Sequence, residues 1–268
     1  MYKKAYGIIE TLAPVHVGAT AGEESGNLNL IFRDQFTLTG VIPGSSIRGR
    51  FRSEMLLNKG KDDSNQWYGH DADAGVTDST TESLVKFEYA SVVWLPVFCP
   101  GQPVVWVSCP KLLKRYKRIT GITDPVPQVY SGSSVLKPLT VENRPTLFFN
   151  FGFLTIDHPR QNLKPWFPFG EELPAVVVAD DEIAMIHDMA LYRQSRVRLD
   201  ENEKIAVKGA FFNTEALPEG TQMIFPVAIK KNQGEWKPFE DDSTTGEIYL
   251  GGLESIGFGH CAVELRGL

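Results

Sequence analysis

The chain is poor in cysteine. Cys99, Cys109 and Cys261 are odd in number and form no C-x-x-C pair. That counts against a disulfide framework and fits a reducing, cytoplasmic compartment. Long apolar runs are also missing: no stretch of ~18 apolar residues occurs, so no membrane span is expected. The apolar run within Met1–Glu10 is too short for a secretory signal. Positive charge is not in excess. The 268 residues carry a net charge of −6, which argues against a surface that binds polyanions all over. Any nucleic-acid role must rest on local patches. No internal repeat is found. His70-Asp-Ala-Asp73 has no second ligand cluster in the sequence, so it reads as loop polarity rather than as a metal site.

Two patches are present. The first lies in Val41-Ile-Pro-Gly-Ser-Ser-Ile-Arg-Gly-Arg-Phe-Arg-Ser-Glu54. Pro43-Gly44 signals a turn, and Ser45 or Ser46 is placed to cap a helix over about 45–58. Ile47, Phe51 and Met55 fall on one face. Arg48, Arg50 and Arg52 crowd the first turns with no acid before Glu54. A helix N-terminus disfavours cations there by ~0.3–1 kcal/mol. Free N–H groups, glycine and arginines together suit an anion such as phosphate. A solvated helix face with incidental arginines is the competing reading. The second patch is Lys111, Lys114, Arg115, Lys117 and Arg118, five cations in eight residues. They lie off the apolar stripe Leu112, Leu113, Tyr116 and Ile119 of a helix over 110–119 that starts at Pro110.

The remaining segments predict strands at 4–13, 28–32, 84–98 (two pieces), 104–108, 147–155, 197–199, 205–212, 223–229, 248–250 and 261–266. A helix is expected over 181–194, capped by Asp180, with Ile183, Ile186 and Met189 inward. Residues 59–82 read as a polar insertion or mobile loop, and 121–175 as a proline-rich insertion. The order suits one α+β domain over 1–268, in which helices cover one face of an antiparallel sheet, with a ferredoxin-like unit as its simplest form.

Residues 40–52, Gly-Val-Ile-Pro-Gly-Ser-Ser-Ile-Arg-Gly-Arg-Phe-Arg, resemble the signature helix of the RAMP proteins of CRISPR systems. Thr11-Leu-Ala-Pro-Val-His-Val-Gly18 is similar to the opening of RAMP backbone subunits. Pro96-Val-Phe with Val107-Ser-Cys-Pro-Lys-Leu-Leu-Lys-Arg115, Lys208-Gly-Ala-Phe-Phe-Asn-Thr-Glu-Ala-Leu-Pro218 and Gly251-Gly-Leu-Glu-Ser-Ile-Gly-Phe-Gly-His260 look like segments of the Cmr-type backbone subunit of type III effectors.

The resemblance implies a modified ferredoxin-like, RNA-recognition fold with an inserted thumb hairpin and long loops. It implies a guide-RNA-binding backbone subunit of an RNA-guided, RNA-targeting complex in antiviral defence. Its partners would be guide RNA, complementary target RNA and other effector subunits, with no membrane. The RNA contacts it points to are His16, Gly18, Ser45, Ser46, Arg48, Arg50, Arg52, Gly257 and Gly259. Such subunits usually cut target RNA with a loop Asp and a divalent metal. Counting back from Arg33-Asp34 puts Leu28, between Asn27 and Asn29, at that place. Glu23, Glu24 and Asp34 are the nearest acids. The sequence thus predicts a subunit that binds RNA and cuts poorly or not at all. Mg2+ or Mn2+ would be needed only if it cuts. Two other readings stay open. One is a metal-independent guide-processing endoribonuclease of the same superfamily, using His16 and His260. The other is an unrelated α+β protein with a carbohydrate or protein ligand.

Overall fold

The computed structural model describes residues 1–18, 28–70, 81–150, 152–199 and 206–268. In chain order these form β1 (Tyr2–Thr11), β2 (Leu28–Asn29), β3 (Val41–Ile42), α1 (Gly44–Lys59), α2 (Lys61–Tyr68), β4 (Val85–Phe87), β5 (Ala90–Phe98), β6 (Val104–Ser108) and α3 (Pro110–Thr120). Then come β7 (Leu139–Val141), β8 (Arg144–Phe149), β9 (Gly152–Thr155), β10 (Ala175–Val177), α4 (Ile183–Ala190), β11 (Tyr192–Leu199), β12 (Ala206–Ala216), β13 (Gln222–Lys230), β14 (Thr245–Tyr249) and β15 (His260–Arg266).

The architecture is α+β. Among the described residues a nine-stranded sheet runs β10-β6-β5-β13-β1-β15-β14, with β3 added to β5 and β4 to β13. Its pairings are antiparallel except β10 with β6. β1 lies between β13 and β15, with Ile9 opposite Met223 on one side and Val263 on the other. Gly7 is needed there: a Cβ would lie 2.1 Å from the Phe225 ring, which crosses β1 at that point.

The helices cover both faces of this sheet, not one. Met223, Phe225, Val227 and Ile229 of β13 join the core that holds Ile47, Phe51 and Met55 of α1. The intervening Ile224 joins Leu113 and Tyr116 of α3. Alternate residues of a strand point to opposite faces, so each helix takes its own side.

Other expectations need correction. Within 59–82, α2 is a helix. Asp62 and Asp63 in its first turn suit the helix dipole, and Ser64, Trp67 and Tyr68 are buried. The sequence hides this because only the last two of its eight residues are apolar. Positions 71–80, including Asp71 and Asp73, lie outside the described residues. The single strand expected over 147–155 is a hairpin: β8 reverses into β9 with Leu147 opposite Leu154, and β7 completes a three-stranded sheet. The proline-rich segment also supplies core. Phe167 stacks on Trp94 at 4.7 Å, and Trp94 donates to the Trp166 carbonyl at 2.8 Å.

Ser45 and Ser46 do not cap α1. Pro43 holds the cap position, and its carbonyl accepts the Ser46 N–H at 3.0 Å. Asp180 does not cap α4. Its carboxylate accepts the Lys111 N–H at 2.8 Å, at the start of α3. α4 ends at Ala190, because β11 begins two residues later. His187 takes the inner place, and Met189 is half-buried. No helix among the described residues is long and apolar enough to cross a membrane.

Candidate nucleic-acid interface

The buried face of α1 fixes what its other faces can do. With Ile47, Phe51 and Met55 inward, Ser46, Gly49, Arg50 and Ser53 line the open side. They sit at i, i+3, i+4 and i+7, so they share one face. This face forms one wall of a shallow groove of about 450 Å³. The opposite wall is Gly18 with Gly251 and Gly252, and Tyr249 and Glu254 stand at its margin.

The turn after β1 and the glycine-rich loop before β15 meet here through His16. Its carbonyl accepts the Gly252 N–H at 2.9 Å. A Cβ on Gly251, whose φ is +86°, would lie 2.2 Å from that oxygen, so only glycine can make this approach. The His16 ring is buried, and its Nδ1–H donates to the Glu215 carbonyl at 2.6 Å. Its Nε2 lies 3.2 Å from where a Gly18 Cβ would be.

The arginines divide. Arg50 lines the groove, paired with Glu54 at 2.6 Å and Glu254 at 3.6 Å. Arg48 turns away and donates to the Tyr68 carbonyl at the end of α2. Arg52 lies half-buried beside α2, and its carbonyl accepts the Ser64 hydroxyl at 3.3 Å. Ser46 faces the groove, whereas Ser45 is outside it. The wall glycines are Gly18, Gly49, Gly251 and Gly252. Gly257 is open but elsewhere. Gly259 is structural, since its Cβ would lie 2.7 Å from the Leu250 carbonyl oxygen. The missed signal in the sequence was the face of small residues at 46, 49 and 53, which permits close approach of a backbone.

His260 does not pair with His16. Its Nε2 meets Glu247 at 2.8 Å, and its ring stacks on Tyr249 at 5.0 Å. Glu23 and Glu24 lie outside the described residues. Asp34 is a loop staple: one carboxylate oxygen accepts the N–H groups of Phe36 at 2.9 Å and Thr37 at 2.8 Å and the Thr37 hydroxyl at 3.0 Å. Partial burial would raise its pKa, but these hydrogen bonds outweigh it and hold it below the ordinary carboxylate value. Leu28 and Asn29 pair in parallel with Asn213 and Thr214 of β12. Among the described residues no three His, Cys, Asp or Glu side chains gather as a metal site.

Sequence reasoning missed the charge network beneath the groove. Arg33 reaches Asp188 at 3.1 Å and Glu215 at 2.9 Å, and Arg193 reaches the same two acids at 3.0 and 3.1 Å. Beside it His187 is buried, and its Nε2 accepts the Gly40 N–H at 2.8 Å. Burial, with Arg33 and Arg193 adding to it against Asp188, holds the imidazole down to about 3, from an ordinary 6.5.

The folded chain therefore refuses a proton that the unfolded chain accepts below about pH 6.5. The stability is full above that value and falls with acidification, by about 2 kcal/mol at pH 5. Urea unfolding at pH 7 and pH 5 should show this loss in the wild type. His187→Gln, which keeps an acceptor for Gly40, should flatten it. An equal loss in both proteins would assign the pH dependence elsewhere.

The fold has solved relatives. The chain is similar to a type III-B Cmr-beta subunit seen by cryo-EM in a complex bound to cognate target RNA, at a TM-score of 0.74 and 18% identity over 98% of this chain and 96% of that one. The apo-state Cmr-beta structure gives 0.71 and 19% over the same shares. Oligomeric Cmr4 from Pyrococcus furiosus gives 0.66 and 16% over 99% and 98%. None of the curated proteins compared with it matches the sequence. The family profile of the RAMP superfamily matches residues 8–262, nearly the whole described fold, and the chain belongs to that superfamily.

Proposed function

We propose that this chain is a guide-RNA-binding backbone subunit of a type III CRISPR effector complex, acting in the cytoplasm in antiviral defence. One observation carries the reading: the signature helix, the Gly18 turn and the Gly251–Gly252 loop meet in one groove lined by four glycines, Ser46, Ser53 and Arg50, with Val17, Phe32, Tyr249 and Glu254 completing it. Small walls let a sugar-phosphate backbone approach closely. Arg50, the Ser46 hydroxyl and open backbone groups supply phosphate contacts that carry no sequence preference. Sequence would then be read by pairing between guide and target. Glu54 at 2.6 Å and Glu254 at 3.6 Å hold Arg50 in the groove, and phosphate would take the place of the longer Glu254 contact. Arg48 and Arg52 add positive potential from the α2 side. The similarity to a subunit of an RNA-bound Cmr-beta complex and to an oligomeric Cmr4 agrees with this reading, with guide RNA, target RNA and neighbouring subunits as partners.

Three acids near the groove are not free to hold a catalytic divalent metal. Asp34 is spent on its own loop, and Asp188 and Glu215 are spent on arginines. Glu23 and Glu24 lie outside the described residues, so the reading of a subunit that holds guide and target without cutting at its own position rests on the sequence, which has Leu28 where the resemblance expects an acid. The separated environments of His16 and His260 speak against a His-based processing nuclease.

Arg50→Glu tests the groove. Losing a charge-assisted contact should weaken binding of guide-sized single-stranded RNA about tenfold or more. It should lower the salt dependence by about 0.7 in log–log slope. Glu254→Gln should do the opposite and tighten binding up to about fivefold, because it removes an acid from the groove lining and the longer of the two ion pairs of Arg50, leaving the Glu54 pair in place. Wild-type RNA retention in Arg50→Glu, in a correctly folded protein, would sink the assignment.

A further inference from the structure

α3 carries a second surface that shares no lining residue with the groove along α1. Lys111, Lys114, Arg115 and Arg118 fall at i, i+3, i+4 and i+7, so they form one stripe opposite Leu112, Leu113 and Tyr116. The stripe faces a cleft of about 360 Å³ whose other wall includes Phe36, Thr37, Tyr89 and Ser91, with Asp34 the one acid among the lining residues.

The cations play different parts. Arg115 is built into the wall. Its guanidinium lies 4.1 Å over the Tyr89 ring and donates to the Ser91 hydroxyl at 2.8 Å and the Tyr89 carbonyl at 3.1 Å. Lys111 sits over one face of the Phe36 ring at 5.0 Å. Lys114 and Arg118 are exposed and make no ion pair among the described residues. Phe36 is 78% exposed, an unusual place for a large apolar ring. Asp34 explains why the ring stays there: its carboxylate staples the Phe36 and Thr37 amides and so holds the loop tip outward.

An aromatic ring offered beside three exposed cations, in a chain that is acidic overall, is the arrangement that single-stranded nucleic acid uses. The base stacks on the ring, and the flanking phosphates meet the cations. We infer that this cleft is a nucleotide subsite for single-stranded RNA, with a base on the open face of Phe36 and its neighbouring phosphates on Lys114 and Arg118. The inference takes RNA from the reading above but does not depend on the α1 groove being its site.

The test uses the full chain, freed of nucleic acid, and a fluorescein-labelled oligouridine 12-mer carrying 4-thiouridine. Anisotropy is followed across a salt series. Phe36→Ala should weaken binding about fivefold or more with the salt slope unchanged, and Phe36→Tyr should restore it. Lys114→Glu/Arg118→Glu should weaken binding and lower the slope by about 1.4. Thermal melts should be unaltered, because these side chains are exposed. Crosslinks should map to the Phe36–Tyr89 cleft. Normal affinity in Phe36→Ala would overturn the subsite. So would crosslinks confined to α1, or loss of subunit assembly with RNA affinity intact, which would make the cleft a protein interface. Arg50→Glu run in parallel separates the two assignments: loss there with wild-type Phe36→Ala defeats only this inference, and the reverse pattern defeats only the α1 groove.

Discussion

Phe51→Ala should cost about 3–5 kcal/mol, the range for emptying a buried aromatic site, and lower the melting temperature by roughly 10 °C in a chain of this length. The reason lies in how α1 is held. It has no acid in its first turn and no side-chain cap, and three arginines stand near its positive end. Little in its own sequence stabilises it as an isolated helix. What holds it is Phe51, fully buried at the centre of an aromatic cluster. Its ring stacks on Phe87 at 5.6 Å and meets Trp236 and Phe239 at 5.6 Å and Phe225 at 6.3 Å. Trp236 is itself tied to the Tyr68 hydroxyl at 3.0 Å, so α2 depends on the same cluster. Leu57→Ala, on the exposed side of α1, should change stability by no more than about 0.5 kcal/mol. Calorimetry on both variants checks the contrast. A drop below 3 °C for Phe51→Ala would mean that α1 is anchored by something other than this cluster.

That cluster also marks what the sequence could reveal. The spacing of Ile47, Phe51 and Met55 shows the inward face of α1 without a structure, and Leu112, Leu113 and Tyr116 do the same for α3, because a helical period is local information. Strands β5, β6 and β13 were legible from their β-branched and aromatic content, and β15 from the alternation of Cys261, Val263 and Leu265 with polar or small residues. The helix α2 was not, since a polar eight-residue segment gains its helicity from burying Trp67 and Tyr68 against distant partners. The two-sided covering of the sheet was hidden for a similar reason. The unbroken apolar run Met223–Ile229 in β13 tells that both faces are buried, but not which helix lies on which. The glycine loop and the Gly18 turn could be tied to α1 only through the resemblance, because the His16–Gly252 contact spans most of the chain. The arginines attracted attention as charge, yet the fold sends Arg48 to α2 and gives the groove to Arg50 and a row of small residues. A small-residue face is silent in any reading that looks for charge.

The least legible feature has the second largest expected effect. Glu215→Ala should destabilise the chain by about 3 kcal/mol, the low edge for breaking a buried ion pair. Glu215 is 3% exposed at its side chain, and Arg33 and Arg193 both converge on it. Truncation leaves two guanidiniums to share Asp188, which is half exposed and screened by water. The low edge applies because both arginines keep some access to solvent. Glu215→Gln keeps the shape and one acceptor, so it should lie between wild type and Ala. The network joins the segment after β2, the end of α4 and the base of the β11–β12 hairpin. The Glu215 carbonyl also holds the His16 ring, so loosening it should reach the Gly18 turn and weaken RNA binding even though no RNA contact is removed. A double-mutant cycle with Arg33→Ala by urea unfolding isolates the pair, and a coupling of about 1 kcal/mol or more is expected for residues in one network. Additive costs, or a loss under 1 kcal/mol for Glu215→Ala, would show that the hairpin is seated by apolar packing around Ala216 and Leu217 alone. RNA affinity unchanged in a folded Glu215→Ala would show that the His16 anchor does not set the groove.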